Sequence, residues 1–420
     1  MEKIKASIIT IGDELLIGQV IDTNSAWLAQ QLNSIGVWVH HRVAVGDVWD
    51  DIWQALDAES RLSQVVLITG GLGPTADDIT KPLLCEYFGG KLVLDEPTLA
   101  HVTYLFEQVF KRPGALLERN RKQAEVPDVC TVLKNERGTA PGMLFEKNNT
   151  LFISMPGVPH EMKGITEDHV LVLLKQRFRL PYIGHRTLLT AGIGESVLAE
   201  RIEAFETALP APIKLAYLPN YGMVRLRLTA QGDDKASVDA ELDTLFSSLQ
   251  TQVADVLVVN EDIPLEVLVG RLLQKRNQTI ATAESCTGGY LAHLITSIPG
   301  SSAYFMGSVV SYANRIKEDV LKVEPGMIEA NGAVSEETVK AMLDGVLNLM
   351  QTDYGIAVSG IMGPGGGSAE KPVGTVWVAV GNKISKETRQ LHLRFDRRRN
   401  IEITATNALN LVRQFILQNG

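Results

Sequence analysis

Apolar positions along this chain follow two rhythms, continuous short runs and helical spacing, and they alternate. Residues 6–10 form a short apolar run of the kind that makes a strand covered on both faces. Residues 24–35 follow with Trp27, Leu28 and Leu32 on one helical face. Residues 65–69 predict another strand and 79–87 another helix; 143–146 and 150–154 predict two further strands. Such alternation predicts a parallel or mixed sheet covered by helices, with ligands at the carboxyl ends of its strands.

The texture changes near residue 171. Strands are expected at 188–191, 213–218 and 223–230, with helices at 195–207 and 235–253. Val224, Leu226 and Leu228 alternate cleanly, which sets Arg225 and Arg227 on the opposite face. The order βαββα suggests a small α+β module. Gly192-Ile193-Gly194-Glu195 carries an acid where a phosphate clamp would want a base, so a spacer or dimer-forming role is the expectation rather than an RNA surface.

A third pattern opens at Pro264, a residue suited to the first turn of a helix. Leu265, Leu268, Val269, Leu272 and Leu273 recur at helical spacing. Strands are expected at 279–282, 304–312, 355–359, 373–380 and 388–395, and helices at 314–323 and 400–417. Ser335 reads as the cap of a helix whose inner face is Val339, Met342, Leu343 and Val346. The three textures place domains at 1–170, 171–258 and 259–420, within the size range of single cores.

Composition changes little in this picture. Apolar residues make up 45% and charged residues 21% of 420, ordinary values for a globular protein. A net charge of −9 without a basic block argues against nucleic acid as a partner. No apolar run approaches the roughly 20 residues that span a bilayer. Three scattered cysteines, Cys85, Cys130 and Cys286, and an opening Met1-Glu2-Lys3-Ile4-Lys5-Ala6 without a leader pattern lead to a cytoplasmic expectation.

Chemistry gathers at the strand ends. Gly12-Asp13-Glu14, Gly46-Asp47 and Thr69-Gly70-Gly71-Leu72-Gly73-Pro74-Thr75-Ala76-Asp77-Asp78 all follow strands in the first region. The last is a Gly-rich turn whose amides can cradle phosphate while Asp77 and Asp78 hold a hard cation against it; equally, those acids can simply cap the next helix. Met155-Pro156-Gly157-Val158-Pro159-His160-Glu161-Met162 is a stiff connector or a pocket wall.

In the last region, Ala283-Glu284-Ser285-Cys286-Thr287-Gly288-Gly289 lies between a strand and a helix and holds two rival nucleophiles. A helix N-terminus and two glycines there favour close approach of an anion. No histidine stands at a neighbouring strand end, so a Ser-His-Asp set is not expected. Lysine can serve as base when burial lowers its pKa, and Lys317 follows Tyr312 at another strand end. Ser285, Tyr312 and Lys317 are thus a candidate amidohydrolase set, with Cys286 as the alternative nucleophile or a buried structural thiol. A second Gly-rich loop, Gly360-Ile361-Met362-Gly363-Pro364-Gly365-Gly366-Gly367, ends a third strand.

These stretches, with Asp22-Thr23-Asn24-Ser25, Gly138-Thr139-Ala140-Pro141-Gly142, Gly332-Ala333-Val334-Ser335 and Lys371-Pro372-Val373-Gly374-Thr375, resemble the competence/damage-inducible CinA family over essentially the whole chain. The resemblance implies an α/β protein: a MoaB/MogA-like three-layer domain of molybdopterin-binding fold, a KH-like α+β middle domain and an α/β deamidase domain. For the last domain it implies hydrolysis of nicotinamide mononucleotide to nicotinic acid mononucleotide and ammonia, without a cofactor. Ser285, Tyr312 and Lys317 would be catalytic there, and Thr287, Gly288, Gly289, Ser359, Gly360, Gly363, Gly365 and Gly366 would face substrate. For the first domain it implies an ADP-ribose pyrophosphatase dependent on a divalent metal, Mg or Co. There Asp13, Asp47, Asp77 and Asp78 would hold metal, and Gly70, Gly71, Gly73 and Thr75 would hold phosphates. A homodimer is also implied. Ile11 and Met362 depart from the residues common in the family without removing a catalytic group. The rival expectations are a non-catalytic protein binding a molybdopterin-like ligand and a competence-associated factor.

Overall fold

Strand β1 (Lys5–Ile11) has no polar face because neither face meets water. Ala6 and Ile8 pack on Leu28 and Leu32 of the helix Thr23–Ser34, while Ile9 and Ile11 join a second core with Ile52 and Leu56 of the helix Trp49–Ser60. Side chains that alternate across one strand therefore reach two cores, and a three-layer arrangement follows. The structure is a computed structural model that describes residues 3–75, 77–111, 116–220 and 222–419. Ala76, within the predicted phosphate loop, lies outside the described residues, as do Met1 and Glu2.

The further strands of this region are β2 (Trp38–Val45), β3 (Val65–Thr69), β4 (Leu92–Leu94), β5 (Glu125–Pro127), β6 (Thr131–Leu133), β7 (Gly142–Lys147) and β8 (Thr150–Met155). Five of them, with β1, make a sheet of order β2-β1-β3-β8-β7-β6, and β4 pairs with β5 apart from it. β1 is parallel to β2 and β3, and β3 to β8. Their carboxyl ends at Ile11, Val45, Thr69 and Met155 consequently share one edge of the sheet. The helices Trp49–Ser60 and Glu96–Tyr104 add to those expected from the pattern.

The middle strands are β9 (Tyr182–Ala191), β10 (Lys214–Asn220), β11 (Met223–Gly232) and β12 (Leu257–Val259), ordered β10-β11-β9-β12. The expected βαββα order gains a final strand, since β12 pairs antiparallel with β9. Val224, Leu226 and Leu228 are buried as their alternation predicts. Arg225 carries an ion pair with Asp262 at 3.2 Å, so its face is not purely basic.

The last sheet is built from β13 (Ile280–Glu284), β14 (Phe305–Val310), β15 (Tyr354–Gly360), β16 (Thr375–Gly381) and β17 (Lys386–His392), in the order β14-β13-β15-β16-β17. The first three strands in that order are mutually parallel; β16 and β17 turn antiparallel. Ile280, Ile356 and Val358 face a core with Val269, Leu273, Leu409 and Val412. Ala281, Ala283 and Ala357 face the other, where Val339, Met342, Leu343 and Val346 of the helix Glu336–Met350 pack as predicted. Ser335 caps that helix by accepting from the Thr338 amide at 3.2 Å. β14 stops at Val310, so Tyr312 lies beyond the strand expected to contain it and is 62% exposed.

By compactness the chain divides into two units, residues 1–184 with 229–242, and 185–228 with 243–420. Among the described residues no helix is long and apolar enough to cross a membrane.

Candidate active sites

β13 ends in Glu284, and the next residue is the predicted nucleophile. Ser285 continues the pairing with β15 through its amide, which donates to Val358 O at 3.0 Å. The chain then turns through Thr287 and Gly288 into the seven-residue helix Tyr290–Thr296. Gly289 caps that helix at φ 97°, in the left-handed region that a side chain would disfavour. Ser285 is only 8% exposed.

Lys317 meets Ser285 from the neighbouring strand end. Its short helix, Asn314–Asp319, starts just after β14, and its ammonium nitrogen lies 3.1 Å from Ser285 Oγ and 2.7 Å from Ser311 O. Lys317 is 1% exposed, and burial holds its pKa below the usual lysine value. No carboxylate hydrogen-bonds it among the described residues. A lysine so placed loses its proton more easily than a solvated one, and once neutral it can take a proton from the hydroxyl it touches.

The other two candidates, Cys286 and Tyr312, sit differently. Cys286 is buried and its thiol is pushed up to about 12, mainly by desolvation. It packs with Leu291 and Met362 in the apolar core. Tyr312 is near but turned outward: its backbone carbonyl, at 3.5 Å, is the atom near Lys317, and its hydroxyl accepts from Arg397 at 2.9 Å. Arg397 also donates to Gly363 O at 2.9 Å, which ties the second Gly-rich loop to the rim.

Several expected substrate contacts are used internally instead. The Thr287 hydroxyl and the Gly289 amide donate to the Glu284 carboxylate, and the Gly288 amide donates to Ser285 O. Ser359 Oγ donates to Ala333 O at 2.6 Å and is 1% exposed. These groups shape the turn and the strand end rather than face a phosphate. Gly365 and Gly366 are exposed, Gly360 is half-buried and Gly363 is buried. Glu284 and Arg397 were not among the expected site residues. Their signals were a lone acid ending an apolar strand just before a helix, and a basic run, Arg397-Arg398-Arg399, opening one.

At the first sheet, the strand ends enclose a cavity of about 430 Å³ lined by the Gly70–Pro74 backbone, Glu14, Asp47, Asp77, Asp78 and Glu161. Pro156, Gly157 and Val158 line it too, so the stiff connector is a wall. A side chain at Gly70 would strike the carbonyl of Ile11, so this approach requires glycine. Asp13 and Asp47 brace each other: the Asp47 amide donates to Asp13 Oδ1 at 3.1 Å, and the Asp13 amide to Asp47 Oδ2 at 3.2 Å. Burial raises the Asp47 pKa; the Asp13 amide opposes this, and the charges of Asp13, Glu14 and Asp77 add to it.

Asp78 takes the amide and hydroxyl of Thr75 on one oxygen, so it braces the loop. Thr75 faces an adjoining cavity of about 570 Å³ that also touches Lys81. The four predicted metal residues are thus not one ligand cluster; among the described residues no three acidic, His or Cys side chains are gathered to hold an ion. A hard cation that arrives with a phosphate and keeps much of its water would need only one or two carboxylates. Of the four predicted metal residues, Asp47, Asp77 and Asp78 line the cavity of about 430 Å³.

Comparison with known proteins adds the following. Residues 7–176 match the probable molybdopterin binding domain, 185–257 the damage-inducible protein CinA KH domain and 262–416 the CinA C-terminal domain. A CinA-like protein of Cytophaga hutchinsonii is 48% identical over 411 residues, covering 98% of each chain. A CinA-like protein of Flavobacterium psychrophilum is 46% identical over 416 residues, covering 99% of each. The crystal structure of competence/damage inducible protein CihA from Agrobacterium tumefaciens is 34% identical over 37% of this chain and 97% of its own, with a TM-score of 0.35.

Proposed function

This chain belongs to the CinA family, and from that premise we propose that its last domain is a serine amidohydrolase acting on the carboxamide of nicotinamide mononucleotide. The observation that carries the reading is the buried Lys317 nitrogen 3.1 Å from Ser285 Oγ. Ser285 attacks the amide carbon while neutral Lys317 accepts its proton. Lys317 then returns that proton to the departing ammonia, leaving an ester that water hydrolyses to the acid. The Gly288 and Gly289 amides are engaged, so we assign the oxyanion to the Thr287 amide of the same turn. Tyr312 and Arg397 form the rim over which the nucleotide enters.

The test is ammonia release from nicotinamide mononucleotide by the purified full chain. Ser285→Ala and Lys317→Met are expected to lower the rate by at least about 10³-fold, and Cys286→Ala to leave it within about twofold. Loss of activity in Cys286→Ala with retention in Ser285→Ala would reverse the assignment.

A second activity is supported by a different observation, the carboxylate-lined cavity over the Gly70–Pro74 backbone. We read it as a metal-dependent ADP-ribose pyrophosphatase. Asp47 and Asp77 would hold a divalent ion, whose contribution would be to offset phosphate charge, while the glycine amides would orient the diphosphate. ADP-ribose cleavage in the presence of Mg²⁺, lost in Asp77→Ala, is the expected result; cleavage that survives that substitution would remove the reading.

A further inference from the structure

The Glu284 side chain is fully buried at the end of β13, beside the nucleophile, and no cation pairs with it among the described residues. A buried carboxylate in that position must be compensated by hydrogen bonds. Oε2 accepts from the Thr287 hydroxyl at 2.8 Å, the Gly289 amide at 3.1 Å and the Leu291 amide at 3.0 Å. Oε1 accepts from the Ala292 amide at 2.9 Å and the Ser308 hydroxyl at 3.3 Å. The Thr282 hydroxyl stands 3.2 Å from Oε1 and 2.8 Å from Ser308 Oγ and can donate to either. Three amides and three hydroxyls thus converge on one side chain.

The donors come from both sides of the nucleophile. Ser308 belongs to β14, the strand that leads to Lys317; Thr287 and Gly289 belong to the turn after Ser285; Leu291 and Ala292 open the helix. An anion at this helix start is favourable, but it is the protein's own, so an external phosphate is shut out. Ser285 sits between the backbone of Glu284, fixed in the sheet, and the turn that the same carboxylate pins.

We propose that Glu284 is a positioning residue for Ser285: its carboxylate fills the start of the helix Tyr290–Thr296 from within and locks the turn that aims Ser285 Oγ at Lys317. It touches no substrate. The proposal rests on the reading of Ser285 as the activated nucleophile, but not on the identity of the substrate. Glu284→Gln keeps the volume and replaces an acceptor with an NH₂ that opposes the amides facing it, so the turn must shift. A misplacement of about 1 Å costs on the order of 10²-fold in rate.

The test uses the full-length protein and two readouts. One is kcat and KM for ammonia release from nicotinamide mononucleotide. The other is the rate of Ser285 sulfonylation by phenylmethylsulfonyl fluoride, followed by intact mass. In that reaction the Ser285 O–S bond forms, the S–F bond breaks, and the serine proton passes through Lys317 as fluoride leaves. Glu284→Gln is expected to lower kcat and the sulfonylation rate together by about 100-fold. KM should stay within about threefold and the pH midpoint, set by Lys317, should not move.

Thr287→Val removes one donor with little change of shape, should slow both by about tenfold, and serves if Glu284→Gln does not fold. Thr287→Ser, which keeps the hydroxyl, should restore the rates. Wild-type kcat in Glu284→Gln, or equal losses in Thr287→Val and Thr287→Ser, would overturn the proposal. So would a wild-type Ser285 that reacts with neither reagent. If wild type is sulfonylated but releases no ammonia, the substrate reading fails, and the sulfonylation rates still decide the role of Glu284.

Discussion

In the proposed mechanism Lys317 sets how the last domain responds to pH. Only its neutral form can accept the Ser285 proton, and burial lowers its pKa from the usual 10.5. Ammonia release should therefore rise with pH through that lowered value and level off above it. A pH–rate profile checks this, and a rate that falls on the alkaline approach to Lys317 would contradict its role as base. Cys286 behaves oppositely: with its thiol pushed up to about 12 it is protonated at neutral pH and a poor nucleophile. Treatment with iodoacetamide near neutral pH should leave ammonia release unchanged. At this scale residue type and place in the pattern made Ser285 and Lys317 candidates beside Cys286 and Tyr312, and the family resemblance chose among them. Glu284 was not a candidate, because an acid between an apolar run and a serine looks like a solvated strand end. Nothing local says that β14 and the helix start close over it.

At the scale of elements, caps and burial make separate predictions. Ser335 caps the 15-residue helix Glu336–Met350, which covers one face of the last sheet. Ser335→Ala should cost about 1 kcal/mol in denaturant unfolding. In the first unit, Lys81 sits in the helix Thr80–Tyr87 with its nitrogen 3.0 Å from Gln123 O, and burial lowers its pKa from 10.5 to about 8. The folded state releases that proton before the unfolded chain does. The contribution to stability is therefore present above 10.5 and lost as pH falls through about 8. Lys81→Met should flatten the dependence of the thermal midpoint on pH across this window. It should also raise stability at pH 7 by up to about 3 kcal/mol. Helix and strand identities were readable here because amphipathic period and continuous apolar runs record burial directly. Ends were less so: β14 stops short of Tyr312 and the helix after it ends at Asp319, since Lys317 and its carbonyl partners replace regular pairing there.

For the whole molecule, each candidate site draws its residues from one unit and one parallel strand edge. Asp47, Gly70 and Asp77 follow β2 and β3; Ser285 and Lys317 follow β13 and β14. The two chemistries should be separable in one preparation. Ser285→Ala should abolish ammonia release and leave ADP-ribose cleavage intact, and Asp77→Ala should do the reverse. Cross-inactivation in assays of both substrates would contradict that separation.

The amino-acid sequence by itself determined the layered α/β architecture and the strand ends that carry chemistry; it left Ser285 and Cys286 as rival nucleophiles and Lys317 as a candidate base. Burying both faces of a parallel sheet forces apolar runs, and the loops at their carboxyl ends are then the places left for polar groups. Only the tertiary structure decided which of those polar groups are free. Thr287, Gly288, Gly289, Ser359 and Asp78 have acceptors or donors waiting inside the protein, whereas Ser285 faces a buried lysine. The reason is physical: a buried polar atom must be paired, and its partner comes from whichever strand folding brings alongside, however far away it lies in the chain.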